Sequence, residues 1–146
     1  MKKKYLVTGG SGFIGSSLVK SLLKNNYIVK VLDNNSRGNM RRLEGFEDKI
    51  EFFEGDIRNK KAVQNAANDV DSVIHLAYIN GTKNFYTKPD LVLDVALKGM
   101  LNIIEVCIEK EIGDLILASS SEVYQQPNII PTPENIPLVI PDIHNP

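Results

Sequence analysis

The stretch Thr8-Gly9-Gly10-Ser11-Gly12-Phe13-Ile14-Gly15 constrains this chain more than any other. It follows a short apolar run, Tyr5-Leu6-Val7, and opens into an apolar pattern of helical period from Phe13 to about Asn25. A strand, a glycine turn and a helix in that order make a phosphate cradle. Glycine lets the backbone turn tightly and approach a ligand, because no Cβ intervenes. The helix start then offers unpaired N–H groups and the positive end of its dipole to an anion. Gly10-x-Gly12-x-x-Gly15 satisfies the dinucleotide fingerprint in its expected context. The plainer reading is a tight turn with close helix–strand contact; the strand–turn–helix context favours a cofactor.

A chain of 146 residues, 42% apolar and 24% charged, reads as one globular domain with enough length for a sizeable core. Its formal net charge of −1 argues against a surface built to grip nucleic acid or an anionic membrane. Lys2-Lys3-Lys4 reads as a solvated strand edge. No signal peptide is expected, since the apolar run breaks at Thr8-Gly9-Gly10, and no stretch approaches a membrane span. Cys107 lies on an apolar helix stripe, reads as a buried core thiol and suits a reducing cytoplasm. His75 and His144 sit in no metal-ligand spacing, so no metal is expected. His75 reads as packing within its strand end.

Along the chain, strands are predicted at 5–8, 28–32, 50–53, 72–76 and 115–118. Helices are predicted at 13–25, 59–67 and 90–110, with a single helical turn at 41–43. The first helix carries Ile14, Leu18, Val19, Leu22 and Leu23 on one stripe, and Asn25-Asn26 ends it. The long helix has Leu91, Val95, Leu101, Ile104, Val106 and Ile108 among its apolar positions. Strands alternating with helices call for a parallel sheet, because parallel neighbours need a crossover. Continuous apolar strands imply that both sheet faces are covered. The fold class expected is α/β, a doubly wound parallel sheet of order 3-2-1-4-5. Ligands then bind beyond the carboxyl ends of the strands, at the switch between the first and fourth. Those ends carry Gly9–Gly12, Asp33, Asp56, Leu76-Ala77 and Ser119–Ser121.

The segment 125–146 differs in kind, and it holds six of the seven prolines. Neither helix nor central strand suits it. Ile129, Ile130, Ile136, Leu138, Val139 and Ile140 are too apolar for a free linker, so it reads as a loop that packs against something. The division expected is a cofactor domain over 1–124 and a proline-rich loop over 125–146.

Asp33 stands 18 residues past Gly15, at the end of the second strand. A carboxylate there accepts both ribose hydroxyls of an adenosine and repels a 2′-phosphate, which selects NAD over NADP. Arg37, in the following turn, is the residue that can accommodate that phosphate. Asp56 either accepts from an adenine amino group or caps the helix starting near Asn59. In Ser119-Ser120-Ser121-Glu122-Val123-Tyr124 the hydroxyls can bond a substrate oxygen and Glu122 can move a proton. A polar strand end satisfying its own backbone is the equal alternative.

Together these residues resemble the extended short-chain dehydrogenase/reductase family, the NAD-dependent nucleotide-sugar epimerases and dehydratases, over the whole chain. The markers are Thr8-Gly9-x-x-Gly12-x-x-Gly15, Leu32-Asp33-Asn34, Gly55-Asp56-Ile57-Arg58, His75-Leu76-Ala77 and Ser119-Ser120-Ser121-Glu122-Val123-Tyr124. The resemblance implies a Rossmann-like domain, truncated before the remaining strands and the substrate domain. It implies NAD held by Gly9, Gly12, Phe13, Ile14, Gly15, Asp33 and Asn34, with adenine at Asp56-Ile57 and nicotinamide beside Leu76-Ala77. Ser120 would help polarise the sugar oxygen, with Ser121 and Glu122 beside it. The implied reaction is transient oxidation of a nucleotide-sugar hydroxyl, with hydride passing to NAD. The resemblance leaves the oligomeric state open, although parents of this type often pair as homodimers through long helices like that at 90–110.

The general base of such enzymes is the tyrosine of a Tyr-x-x-x-Lys, and counting from Ser120 puts it at the end of these residues or beyond. Tyr124 is the last tyrosine, and no lysine follows it. The chain is therefore expected to be the front portion of an enzyme, inactive alone. Ala96-Leu97-Lys98-Gly99-Met100 stands where the family often has Asn-Val-x-Gly-Thr, and Gln125 where many members have glycine. Ser120-Ser121-Glu122 disfavours a 4,6-dehydratase and does not separate epimerase from decarboxylase; the leading reading is a UDP-glucose 4-epimerase-like enzyme, with a decarboxylase or dehydratase of the same family as the alternative. A non-catalytic NAD-binding module is the further alternative.

Overall fold

The computed structural model describes residues 2–139, so expectations falling on Ile140, Pro141, His144 and Pro146 lie outside the described residues. In chain order the elements are β1 (Lys4–Thr8), α1 (Phe13–Lys24), β2 (Ile28–Asp33), β3 (Ile50–Glu54), α2 (Lys60–Ala66), β4 (Ser72–His75), α3 (Thr82–Thr87), α4 (Pro89–Glu109) and β5 (Asp114–Leu117). Short 3-10 turns occupy Met40–Leu43, Glu47–Lys49 and Ser121–Tyr124. All strand pairs are parallel and the order is β3-β2-β1-β4-β5, as expected. Register brings Thr8 level with Leu32 on one side and with His75 on the other. Three strands therefore end together, and the glycine turn leaves from the middle one.

Alternation along the strands splits the core into two layers, one for each face. Leu6, Leu32 and Val73 pack with Ile57 and Val63 and with Val95, Ile103 and Val106 of α4. Val7, Val31 and Ile74 pack on the other face with Val19 of α1 and Leu43. Cys107 is a buried free thiol, and its burial pushes the thiol pKa up. Lys3 and Lys4 pair with Asp114 and Asp69 at the exposed start of β1.

Four expectations are corrected. Ile14 lies outside the α1 core stripe and is 70% exposed, because the first turn of α1 starts beyond the end of β1 with no strand beneath it. In α4 only Leu91, Val95 and Val106 of the named positions turn toward the core, whereas Leu101, Ile104 and Ile108 lie exposed with Leu93 and Leu97. The helix has two apolar stripes, and this sheet buries one. Nor are both faces of β5 covered, since Ile116 and Leu117 are about half exposed at the sheet's edge. Residues 125–139 contain no helix or strand. Ile129, Ile130, Leu138 and Val139 are exposed, so this part of the segment does not pack as expected; the Val139 amide bonds the Val123 carbonyl at 3.0 Å.

Gly99 brings α4 down onto the turn after β3. A Cβ there would stand 2.2 Å from Ile57 Cδ1 and 2.7 Å from its Cγ1. Gly99→Val is expected to cost about 2 kcal/mol in urea unfolding by overpacking. Adding Ile57→Ala, which vacates that space, recovers part of the loss.

Candidate functional site

A groove of about 220 Å3 opens at the carboxyl ends of β1 to β4. Gly9, Gly12, Asp33, Asp56, Leu76 and Ala77 all line it. Its floor is backbone in close contact. Gly9 has φ +71°, and a Cβ on it would sit 2.8 Å from the Ala77 amide nitrogen. A Cβ on Gly15 would stand only 2.1 Å from the Gly9 carbonyl oxygen, so α1 reaches the turn only with glycine there. Gly12 is the N-cap of α1, without a side-chain cap, and no acidic residue occupies the first turn. The first amides of such a helix lack intrahelical acceptors. Phe13 and Ile14 are exposed, so their amide ends rather than their side chains fit an anion.

Asp33 ends β2 with 8% of its surface exposed. Its Oδ2 accepts from the Ser11 amide at 3.0 Å and its Oδ1 from the Asn35 amide at 2.9 Å. A carboxylate has about four acceptor positions, so one on each oxygen stays open. Ser11, which sequence reasoning passed over, is wholly buried and fastens the turn after β2 to the glycine loop. Its hydroxyl donates to Asn35 Oδ1 at 2.9 Å, and its carbonyl accepts from the Asn39 amide at 3.1 Å. Nothing in a serine between two glycines signals this role; it arises because β2 ends beside the loop. Arg37 lines the groove and donates through Nη1 to the Asn80 carbonyl on the opposite wall.

Asp56 does not cap α2. Asn59 does, accepting from the Lys61 and Ala62 amides at 3.0 and 3.3 Å. Asp56 instead pairs with Arg58, whose guanidinium holds its carboxyl below the usual carboxylate range. The Asn34 side-chain amide donates to Asp56 Oδ2 at 3.2 Å. Ile57 is buried and lines the groove, and its carbonyl accepts from Asn102 Nδ2 on α4 at 2.8 Å.

At the switch between β1 and β4, one hydroxyl organises the opposite wall. The Leu76 and Ala77 amides both donate to Thr8 Oγ1 at 3.2 Å. With its lone pairs occupied, Thr8 donates its proton to His75 Nδ1, 2.7 Å away, which leaves the ring hydrogen on Nε2. Burial pushes the His75 pKa down to about 4, so the ring is neutral near pH 7. Beyond Leu76-Ala77 a second, apolar cavity of about 380 Å3 lies between α4 and the end of β5, lined by His75, Ala96, Leu97, Met100 and Leu117.

The profile of the NAD dependent epimerase/dehydratase family matches residues 5–143. The chain belongs to this family. It is 39% identical over 135 residues to a putative UDP-glucose 4-epimerase of Methanocaldococcus jannaschii, covering 91% of this chain and 43% of that protein. The crystal structure of UDP-glucose 4-epimerase from Bifidobacterium longum, in complex with NAD+ and UDP, superposes with a TM-score of 0.85 at 29% identity. That match covers 94% of this chain and 43% of the other. The Thermus thermophilus UDP-glucose 4-epimerase complex with NAD gives a TM-score of 0.74 at 35% identity, over 80% and 37% of the two chains. The chain thus spans about two-fifths of the length of these relatives.

Of the residues expected from this family's pattern, the groove brings together Gly9, Gly12, Asp33, Asn34, Asp56, Ile57, Leu76 and Ala77. Ser120, Ser121 and Glu122 follow β5 and are exposed; they line neither cavity, and Ser120 Oγ accepts from the Glu122 amide at 3.2 Å as the cap of a 3-10 turn. Among the described residues no group of three or more His, Cys, Asp or Glu can hold a metal ion, and no helix is long and apolar enough to cross a membrane.

The lowered His75 pKa sets a pH window. Between the unfolded value of 6.5 and the native value of about 4, the unfolded chain binds the extra proton, so stability falls as pH drops through that interval. The full loss is roughly 3 kcal/mol. His75→Asn keeps an acceptor for the Thr8 hydroxyl and has no such proton to gain. Its urea midpoint is expected to change much less than wild type's between pH 7 and pH 4.5.

Proposed function

We propose that the groove binds NAD, and that these residues are the cofactor portion of an NAD-dependent nucleotide-sugar epimerase resembling UDP-glucose 4-epimerase. One observation carries this reading: a glycine loop with no room for a Cβ lies beside a buried strand-end carboxylate that keeps two acceptor positions open. Gly9 and Gly15 let the turn and α1 close up, Gly12 opens the helix beside the groove, and the amides of Phe13 and Ile14 meet the charge of the pyrophosphate. Asp33 takes the two ribose hydroxyls, with Asn34 beside it. Asp56 and the backbone of Ile57 meet adenine, and Leu76 and Ala77 line the nicotinamide side.

NAD in such a groove supplies a hydride acceptor for the transient oxidation of a sugar hydroxyl. Ser120 is assigned to hold the sugar oxygen, with Ser121 and Glu122 at the same strand end. The proton-accepting Tyr-x-x-x-Lys is not among these residues, so nucleotide-sugar turnover belongs to the longer protein. In that protein the exposed stripe of α4 is a natural seat for a homodimer, and the buried Cys107 thiol suits a cytoplasmic setting. Nucleic acid is not an expected partner at a net charge of −1.

Calorimetric titration with NAD and NADP tests the cofactor reading. The wild-type chain is expected to bind NAD in preference to NADP. Asp33→Asn should weaken NAD about tenfold or more, because an acceptor for two hydroxyls loses its charge, and should narrow the preference. Unchanged NAD affinity in that variant removes Asp33 from the ribose site. Sugar-dependent NADH formation by the 146 residues alone is expected to stay at background. Formation above background overturns the assignment of turnover to the longer protein.

A further inference from the structure

Asp33 and Asp56 face the same groove in different states. Asp33 keeps two acceptor positions open, whereas all four on Asp56 are occupied. Asp56 Oδ1 accepts from the Arg58 amide at 2.9 Å and from Arg58 Nε at 3.0 Å. Its Oδ2 accepts from Arg58 Nη2 at 2.7 Å and from Asn34 Nδ2 at 3.2 Å. Arg58 Nη1 reaches the other way, to Asp94 Oδ2 on α4 at 2.8 Å. Lys98 Nζ stands 2.9 Å from the second oxygen of Asp94. A line of alternating charge therefore runs from the groove wall to the long helix.

We propose that Arg58, braced by Asp94, is a positioning residue that makes Asp56 read the exocyclic amino group of the cofactor's base, and that Asn34 is the partner this amino group displaces. The inference rests on the NAD reading above and deepens it. Three of the four bonds to Asp56 come from one residue, and two of them form a planar fork that sets the tilt of the carboxylate. The fourth bond, from Asn34, is the longest and comes from a neutral amide on an exposed side chain. It is the weakest of the set and the one an incoming N–H replaces. Asn34 Oδ1 accepts from the Ser36 amide at 3.0 Å, so the displaced side chain has its own anchor on the groove rim.

The chemistry of the pair decides the base. A carboxylate locked to a guanidinium stays ionised and only accepts. It bonds the amino group of adenine and repels the carbonyl oxygen that hypoxanthine carries in its place. Without the fork the carboxylate can rotate toward solvent and relieve that repulsion, and discrimination falls while the groove's other contacts remain. The brace to α4 matters because the turn at Asp56–Arg58 lies between an edge strand and a short helix. Asp94 ties the far side of the guanidinium to a helix of 21 residues.

The test is titration calorimetry of the 146-residue chain with NAD and with nicotinamide hypoxanthine dinucleotide. Wild type is expected to prefer NAD by about tenfold or more, since a site built to bond an amino group rejects the analogue lacking it. Arg58→Gln should bring the ratio to about threefold or less by releasing the carboxylate. Arg58→Lys, which keeps the charge and loses the fork, should fall between the two. Asp94→Asn should lower the ratio while leaving the Arg58–Asp56 pair in place. An Arg58→Gln variant that weakens both dinucleotides equally has lost packing only, and overturns the assignment. A wild-type chain that binds NAD without preferring it overturns the assignment and leaves the NAD reading intact. Failure of wild type to bind either dinucleotide overturns the NAD reading and this inference with it.

Discussion

The hydrogen bond from the Ser11 amide to the Asp33 carboxylate, 3.0 Å long and buried, joins the turn after β1 to the end of β2. A buried amide without an acceptor costs about 1–3 kcal/mol, and an ionised acceptor is the strongest available. Neither partner can leave without exposing the other. The remaining polar groups of Ser11 hold Asn35, Asn39 and Arg42, so the loop that leaves β2 is drawn back over the glycine turn. Gly38 completes the contact, because a Cβ there would stand 1.8 Å from Ser11 Oγ. The groove's shape on this side follows from one small residue and the carboxylate it meets.

A matching device holds the other wall. Thr8 ends β1, and its hydroxyl receives two amides from the segment after β4 while giving its proton to His75. The β1–β4 boundary is where the sheet's order reverses, and chain leaving the two strands diverges there. Where the ladder ends, the Thr8 hydroxyl accepts from the Ala77 amide and shares the Leu76 amide with the Thr8 carbonyl. Burial of the neutral His75 ring makes the arrangement sensitive to acid. The two walls therefore rest on different physics, a carboxylate acceptor on one side and a neutral hydroxyl–imidazole pair on the other.

The long helix serves both faces of the problem. Its buried stripe closes one core layer, and Gly99, Asn102 and Asp94 hold the Asp56–Arg58 turn through contact, hydrogen bond and charge. Its second stripe, with Leu97, Leu101 and Ile108, stays exposed beside the uncovered face of β5. Both apolar surfaces suit burial against further protein, which relatives more than twice the length of this chain possess.

Much of the architecture was legible in the residues. The alternation of strands and helices gave the parallel sheet and its order, and the glycine spacing located the tight turn between β1 and α1. These follow from local periodicity and from steric room, both of which are written along the chain. Asp33 was legible for the same reason, as a charged residue closing an apolar run. The stripes of α4 were not separable, because period alone says which residues share a face and not which face meets the sheet. The role of Asn59 as the α2 cap, the saturation of Asp56 by Arg58 and Asn34, and the place of Ser11 were equally hidden. Each depends on which side chains arrive at the same point from strands and turns far apart in sequence. The sequence by itself determined the fold, the glycine turn at the end of β1 and the family, since those rest on local pattern. Tertiary structure decided which carboxylate keeps open acceptor positions, because the donors on Asp56 come from turns after two different strands.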